Sequence, residues 1–283
     1  MNMFAEKTDR VGYDELYKEN LSSLSVLSGC EEYIQVYERT RVGPYYQSGN
    51  TKGFVRGEAI RKLIADADNL GISRQEVNVL DAGSGQGELS VYLACRGFNV
   101  TAVDISSEAK VCGEYLADRI GVADKCNFRA ESLDSVSVVD SSMHFIIGHA
   151  SLHHFIKYEE IPREFCRILK QGGKGYFADA FGENKLYHLF HNKERMRRLG
   201  DVTLTKDLIE SYFHEFEVRI TPTDWFVMLD KLLLRVFPNE WDPLVRKISR
   251  VNNSIDRHVS TSSRVALFLS GSVLTEITKR HPC

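Results

Sequence analysis

An apolar run that ends in an acid and then breaks into glycines, residues 77–88, constrains the fold of this 283-residue chain more than any other stretch. The run predicts a buried strand with Asp81 near its end. Glycines follow at alternate positions, Gly83, Gly85 and Gly87, where missing Cβ atoms let a ligand approach the backbone and positive φ values are allowed. Residues 89–94 then continue at helical spacing. The sequence therefore predicts a strand, a ligand-binding turn and a helix.

The glycine spacing distinguishes this turn from that of dinucleotide-binding proteins. The dinucleotide fingerprint is G-x-G-x-x-G, whereas this turn reads G-x-G-x-G and has Glu88 where the third dinucleotide glycine would stand. That difference argues against a pyrophosphate at the start of the helix. A nicotinamide-dependent oxidoreductase on the same kind of sheet is therefore only the alternative.

A second predicted strand, residues 98–103, ends in Asp104 and is followed by Ile105. An acid at this position can accept hydrogen bonds from both hydroxyls of a ribose. Turn, helix, strand and acid together resemble the class I S-adenosylmethionine-dependent methyltransferases, whose first motif reads much like V-L-D-A-G-S-G-Q-G-E. The resemblance implies S-adenosylmethionine as cofactor and S-adenosylhomocysteine as product. It assigns cofactor contacts here to Asp81, Gly83, Ser84, Gly85, Gly87, Asp104 and Ile105.

A third predicted strand, residues 126–130, is followed by Glu131 and Ser132. In the family, an acid in this stretch takes the adenine amino group and a neighbouring backbone N–H meets the ring. The resemblance therefore implies adenine contacts for Glu131 and Ser132. Arg129 stands where another register would put the acid, which departs from the family pattern.

Three histidines follow the fourth predicted strand, residues 143–148: His149, His153 and His154. Ligands bind outside the carboxyl ends of strands in an open α/β sheet, and an imidazole there can act as a base near neutral pH. We predict His149 as the first choice of base and as a cofactor contact, His153 as a second catalytic candidate and His154 as a substrate contact. For at least two of the three, a structural role is the favoured interpretation.

Asp179 ends the fifth predicted strand, residues 175–178, and opens a stretch similar to the E-P-L-G-x-N of many small-molecule methyltransferases. It is the third catalytic candidate, because it could orient an acceptor hydroxyl or amine. Capping of the next helix is an equal alternative.

The alternation of strands and helices predicts a doubly wound, mostly parallel α/β sheet. With the resemblance, the expected fold is one Rossmann-like domain over residues 1–283, with seven strands and a reversed last hairpin. We expect an N-terminal helical cap (1–53), a cofactor-binding core (54–220), a helical lid insertion (221–264), and a last strand at 265–269 with its tail to 283.

Aromatic residues predict the acceptor side of the site. Tyr45 and Tyr46 follow a Gly-Pro break, and Trp225 begins an apolar helical stripe in the insertion. We expect these three to contact a partly apolar small molecule that accepts the methyl group on a hydroxyl or another nucleophile. The basic cluster 193–198 is more typical of a solvated face than of a site for an acidic group.

Composition limits the partners. A net charge of −3 offers no broad field for nucleic acid, and no apolar run reaches the roughly twenty residues of a membrane span. The six cysteines are scattered without C-x-x-C spacing, so we expect reduced thiols. Residues 1–10 lack the apolar region of a signal peptide, so we expect a cytoplasmic enzyme. We expect no metal site. The sequence determines neither the oligomeric state nor the acceptor atom. A second alternative is that this protein is a non-catalytic relative of the enzymes, which keeps the cofactor pocket without activity.

Overall fold

The computed structural model describes residues 29–42, 53–182, 201–223, 247 and 270–280. Seven strands among them form one sheet: β1 (Asn78–Ala82), β2 (Asn99–Asp104), β3 (Cys126–Ala130), β4 (Met143–His149), β5 (Leu169–Ala180), β6 (Glu217–Thr223) and β7 (Ser272–Thr278). Their spatial order is β3-β2-β1-β4-β5-β7-β6. Only β7 runs antiparallel to its neighbours β5 and β6. The predicted doubly wound, mostly parallel sheet with a reversed last hairpin is confirmed.

The described helices alternate with these strands: α1 (Cys30–Thr40), α2 (Gly53–Asp68), α3 (Glu88–Cys95), α4 (Ser107–Ile120), α5 (Leu152–Phe155), α6 (Ile161–Ile168) and α7 (Lys206–Tyr212). No helix within these ranges is long and apolar enough to cross a bilayer.

Helices cover both faces of the sheet. Successive residues of a strand point to opposite faces, so neighbouring residues pack against different helices. Val79 of β1 packs into the cluster formed with α1, α2, α3 and α4. Its neighbour Leu80 packs into the second cluster, with α5, α6 and α7. A central strand covered on both sides is mostly apolar, and the buried Asp81 within β1 keeps a hydrogen bond from the Ser90 hydroxyl.

Local capping signals fix several helix ends. The Ser106 side chain accepts a hydrogen bond from Ala109 N at 3.0 Å and begins α4, which ends at left-handed Gly121. Thr205 accepts from Leu208 N at 3.3 Å and begins α7. Serine and threonine are among the residues preferred at helix N-caps.

The last strand lies later than predicted. We expected it at 265–269, which falls outside the described residues, but the strand that pairs with β5 and β6 is Ser272–Thr278. Val273 and Ile277 of this strand pack on one face and Leu274 on the other. The strand is recognised by side chains that alternate between the two faces of the sheet, whereas the prediction relied on the continuous apolar run at 265–269.

Within the described part of the chain, the cysteines match the prediction except at Cys166. Cys30, Cys95, Cys112 and Cys126 are free thiols. Cys166 is disulfide-bonded, so the prediction of reduced thiols is wrong there. Sequence spacing could not show this, because a disulfide depends on which cysteines meet in space.

The described residues include only parts of the predicted cap and lid. Helix α1 lies in the cap region, and residues 221–223 of the predicted insertion continue β6. Tyr45, Tyr46, Trp225 and the basic cluster 193–198 lie outside the described residues. The cap, lid and domain boundaries stay predictions.

Candidate functional site

A cavity of about 360 Å³ opens at the carboxyl ends of β1, β2 and β4. The strand order reverses between β1 and β4, since β2 and β3 lie on one side of β1 while β4 and β5 lie on the other. Such a switch point is where open α/β sheets bind ligands. The site predicted from the sequence motifs lies at this point.

The glycine turn after β1 forms one wall. Gly83 has φ 74°, and a Cβ atom built there would come within 2.7 Å of the Ser151 Cβ. Gly83 N and Ser84 N both donate to Val103 O, at 2.9 and 3.0 Å, which ties the turn to the end of β2. The turn therefore brings backbone against the residues that follow β4, and only glycine fits at position 83. Gly83, Ser84 and Gly85 all line the cavity.

Asp104 stands beside this turn at the end of β2. One carboxylate oxygen accepts from Gly85 N at 2.8 Å, and the other accepts from Ser106 N at 3.0 Å. Asp104 and the adjacent Ile105 line the cavity. Each carboxylate oxygen can accept more than one hydrogen bond, so the acid is held in place and can still receive hydroxyl donors.

Two predicted cofactor contacts lie behind the turn instead of on the cavity wall. Asp81 is buried and accepts a 2.6 Å hydrogen bond from the Ser90 hydroxyl, which joins β1 to α3. Burial, aided by the Asp104 charge, raises the pKa of Asp81 to about 7. Gly87 is the left-handed N-cap of α3. Both residues act on the cavity through the shape of the turn.

Glu131 and Ser132 line the cavity where the third strand ends. Glu131 N donates to Asp104 O at 3.0 Å, and one Glu131 carboxylate oxygen accepts from Ser137 N at 2.8 Å. The second and third strand ends are therefore joined, and the Glu131 carboxylate is oriented by backbone.

His149 lies at the end of β4 and lines the cavity, followed by Ala150 with φ 55°. Non-glycine residues held at positive φ are concentrated at functional sites. Burial first, and then the Arg56 cation, lower the pKa of His149 well below its usual value, while the Asp179 charge opposes them. The imidazole is therefore neutral at physiological pH.

The other two histidines each meet a carboxylate. His153 Nδ1 is 2.5 Å from Asp179 Oδ1, and the Asp179 side chain is fully buried. His154 Nδ1 is 2.8 Å from Asp201 Oδ1. His154 lines the cavity, whereas His153 and Asp179 do not. His153 and Asp179, predicted as separate catalytic candidates, are in contact with each other one layer behind the wall.

The sequence did not identify the opposite wall, which comes from α1, α2 and the start of α3. Tyr37, Arg41, Arg56 and Glu88 line the cavity there. Arg41 donates to the Glu88 carboxylate at 2.5 Å. Burial, and then the Arg41 charge, lower the pKa of Arg56. A signal existed at Arg56, which is a cation between the buried apolar residues Val55 and Ala59 of α2.

Several buried polar atoms on the cavity wall have no hydrogen-bond partner among the described residues. They are Arg56 Nε, Gln86 Nε2, both ring nitrogens of His149 and Ser151 Oγ. Buried polar groups in folded proteins are almost always hydrogen-bonded. Their concentration in one cavity indicates a polar ligand that would satisfy them.

Residues 80–177 match the family model described as a methyltransferase domain. Sterol 4-C-methyltransferase of Caenorhabditis elegans is 28% identical over 181 residues, 61% of this chain and 53% of the relative. The tRNA 5-carboxymethoxyuridine methyltransferase of Escherichia coli is 29% identical over 126 residues, 44% of this chain and 48% of the relative. The chain therefore spans about half the length of the curated relatives it matches.

Among solved structures, geranyl diphosphate C-methyltransferase of Streptomyces coelicolor superposes with a TM-score of 0.52 at 14% identity, over 75% of this chain and 73% of that one. That structure contains Mg²⁺, geranyl-S-thiolodiphosphate and S-adenosyl-L-homocysteine. At this identity the likeness establishes the fold alone.

Proposed function

We propose that this chain, which belongs to the class I S-adenosylmethionine-dependent methyltransferases, transfers the cofactor's methyl group to a small-molecule acceptor. The observation that carries the proposal is the cavity at the switch point, where the G-x-G-x-G turn meets Asp104. A dinucleotide-binding oxidoreductase would need a third glycine where Glu88 stands.

The adenosine part of the cofactor fits the wall formed by the second and third strand ends. Asp104 would accept hydrogen bonds from the ribose hydroxyls, and its orientation by Gly85 N and Ser106 N supports this role. Glu131 would accept from the adenine amino group, while Ile105 and Leu133 line the same cavity as apolar surface.

The amino-acid part of the cofactor fits the polar atoms that have no partner. Arg56 and Gln86 supply N–H donors, which suit a carboxylate. The Ser151 hydroxyl supplies an acceptor, which suits an ammonium group. We infer that these three side chains bind the zwitterionic end of the cofactor, which leaves the single lone pair of the His149 imidazole for the acceptor. A bound carboxylate would also offset the burial that lowers the pKa of Arg56.

When bound, the cofactor supplies an electrophilic methyl group on a sulfonium with a good leaving group. The chain's main task is then to hold the acceptor in line and exclude water, which is worth several kcal/mol by orientation alone. For a hydroxyl acceptor, His149 is the proposed base, because its neutral imidazole lines the cavity and can take a proton. His153 and Asp179 would then act behind the wall as positioning residues.

The proposed acceptor is a partly apolar small molecule. Phe155, Tyr158 and Ile161 line the cavity beside His154 and supply apolar surface. The net charge of −3 disfavours a nucleic-acid acceptor, although one curated relative is a tRNA methyltransferase. The proposal therefore favours a metabolite over RNA.

Calorimetry with the full chain tests the cofactor. We expect heat from S-adenosylmethionine and S-adenosylhomocysteine and none from NAD⁺. Asp104→Ala should weaken S-adenosylhomocysteine by roughly 1.5–3 kcal/mol for each charge-assisted bond lost. Tight NAD⁺ binding without response to either sulfur ligand would contradict the proposal.

A second titration tests the amino-acid end. Arg56→Met should weaken S-adenosylhomocysteine at least tenfold, because the carboxylate loses a cationic donor, but should leave 5′-methylthioadenosine unchanged, since that ligand has no amino-acid part. Lys62→Met is the matched control on the same helix, because Lys62 pairs with Glu276 and does not line the cavity. An equal loss for both ligands would mean that Arg56 supports the fold only.

A mass-spectrometric screen tests the acceptor. Extracts of small molecules and of total tRNA would be incubated separately with the enzyme and a cofactor carrying a deuterated methyl group. We expect the label in the small-molecule fraction. Label in the tRNA fraction alone would overturn the acceptor class and leave the cofactor assignment intact.

A further inference from the structure

His153, His154 and Asp201 form a cluster beside the cavity. One ligand atom from each lies within 4.8 Å of the others. The two imidazole rings are adjacent, with centroids 3.9 Å apart. Val202 N donates to His153 O at 2.9 Å, which ties the segment that contains Asp201 to helix α5. Elements distant in sequence are therefore joined where the three side chains meet.

We propose that this cluster binds a divalent first-row transition-metal ion. Two imidazoles and one carboxylate are a donor set typical of Zn²⁺, Fe²⁺, Co²⁺ and Mn²⁺ sites, and they suit such ions better than Mg²⁺. Ligand atoms that lie ~2.1 Å from a metal are at most ~4.2 Å apart. Side-chain movements of under about one ångström would therefore close the site.

The contact between Asp179 and His153 also supports a metal site. The buried Asp179 carboxylate contacts Nδ1 of His153 at 2.5 Å. A carboxylate on one ring nitrogen places the proton there and the lone pair on Nε2, which is the outer-shell arrangement found around metal-binding histidines. The same contact fixes the orientation of the ring. Asp179 thereby receives a role as a positioning residue for a metal ligand.

The three side chains are partly buried, and the cluster borders the cavity, so a cation bound there would be accessible from the cavity. The side chains of His153, His154 and Asp201 are 14%, 27% and 15% exposed. His154 lines the cavity, so an ion held here would keep coordination positions on that side. On the proposed function, the ligand class for those positions is an acceptor that carries an oxygen donor, such as a hydroxyl or a carboxylate.

Metal binding can be measured without cofactor or acceptor. Full-length, tag-free protein would be treated with EDTA, dialysed, and titrated with Co²⁺ by calorimetry and visible absorption. We expect one equivalent of Co²⁺ and d–d absorption bands without a thiolate charge-transfer band. Asp201→Asn and His154→Ala should each weaken Co²⁺ at least tenfold, and Asp179→Asn should weaken it roughly 10- to 100-fold.

His214→Ala is the matched control, because this histidine is exposed and its ring lies 3.0 Å from Ser211 O, away from the cluster's ligand set. Circular dichroism and urea unfolding would establish that each variant is folded. The proposal fails if wild-type protein shows no saturable Co²⁺ binding, if a thiolate band appears, or if the cluster variants bind as tightly as His214→Ala. None of these outcomes bears on the cofactor titration, so the two proposals fail separately.

Discussion

Asp81 illustrates how one buried residue links pH to stability. The folded protein raises its pKa from 3.8 to about 7, mainly because burial penalises the carboxylate. Between about pH 4 and about pH 7 the folded state therefore keeps a proton that the unfolded state has released. Stability must fall as the pH rises through that window. A shift of about three pK units corresponds to at most about 4 kcal/mol.

Asp81→Asn should remove this pH dependence. Asparagine cannot ionise, and its carbonyl can still accept the hydrogen bond from the Ser90 hydroxyl. We expect the free energy of unfolding, measured with urea, to exceed that of wild type by an amount that grows between pH 5 and pH 7.5. Parallel pH curves for the two proteins would contradict the shifted pKa.

His149 should titrate far below an ordinary histidine. Burial and the Arg56 cation lower its pKa, so its imidazole stays neutral down through the usual range near 6.5. In an NMR titration of labelled histidines, the signal missing in His149→Gln should not move between pH 5.5 and pH 8. A midpoint for His149 near 6.5 would contradict the prediction.

Once the screen has identified an acceptor, the rate of methyl transfer to it tests whether His149 is the base. His149→Ala should lower kcat by roughly a hundred- to ten-thousand-fold at saturating cofactor, and the wild-type rate should lack an acid limb near pH 6.5. A loss below tenfold would leave positioning as the main source of catalysis. His153→Ala run in parallel would show whether the role belongs to that residue instead.

Some cavity residues could be predicted from the sequence and others could not. The glycines, Asp104 and Glu131 lie at strand ends, and a strand end is visible in the sequence as a change from apolar to polar residues. Arg56 and Ser151 reach the same cavity from a helix before the sheet and from the turn after β4. Their contribution depends on side-chain direction across the fold, which no local pattern determines.

Helices α3 and α4 approach closely because of two glycines. A Cβ on Gly113 of α4 would lie 2.3 Å from the Phe128 ring, and one on Gly87 would lie 2.6 Å from it. Phe128 belongs to β3 and is buried between them. The small residues therefore let a large ring fill the space between two helices and the sheet edge.

Gly113→Ala should destabilise the protein although alanine favours helices. The gain in helix propensity is about 1 kcal/mol, but the new methyl group must displace the Phe128 ring, so we expect a net loss of roughly 1–3 kcal/mol in urea unfolding. The control is Val111→Ala on the exposed side of α4, which should change stability by under about 0.5 kcal/mol. Adding Phe128→Leu should recover part of the loss; stability equal to wild type in Gly113→Ala would refute the packing argument.

For helices and strands, the sequence predicts the features that depend on neighbouring residues. Helix starts at Ser106 and Thr205 follow from side chains that cap nearby N–H groups. Strand β7 could not be located the same way, because its residues are selected by pairing with β5 and β6 over a long sequence separation. The irregular start of β5 has a related cause, since its register with β4 shifts between Met143 and Phe145.

Across the whole molecule, the end of β7 returns to the helix that precedes β5. Lys279 is 6% exposed, and its ammonium group donates to Cys166 O at 2.6 Å and to Leu169 O at 2.8 Å. These carbonyls lie at the carboxyl end of α6, where a cation is favoured by the helix dipole. One side chain therefore links residues more than a hundred positions apart.

Lys279→Met should cost roughly 2–4 kcal/mol in urea unfolding, because two buried carbonyls lose a charged donor while the aliphatic volume is kept. Its neighbour provides the matched control: Arg280 is exposed and pairs with Glu217 at 2.7 Å at the surface, so Arg280→Met should cost under about 1 kcal/mol. Both variants remove one positive charge from the same end of the strand, which cancels any effect of net charge. If the two losses were equal, the buried contacts of Lys279 would contribute no more than a surface ion pair, and the link between β7 and α6 would rest on apolar packing alone.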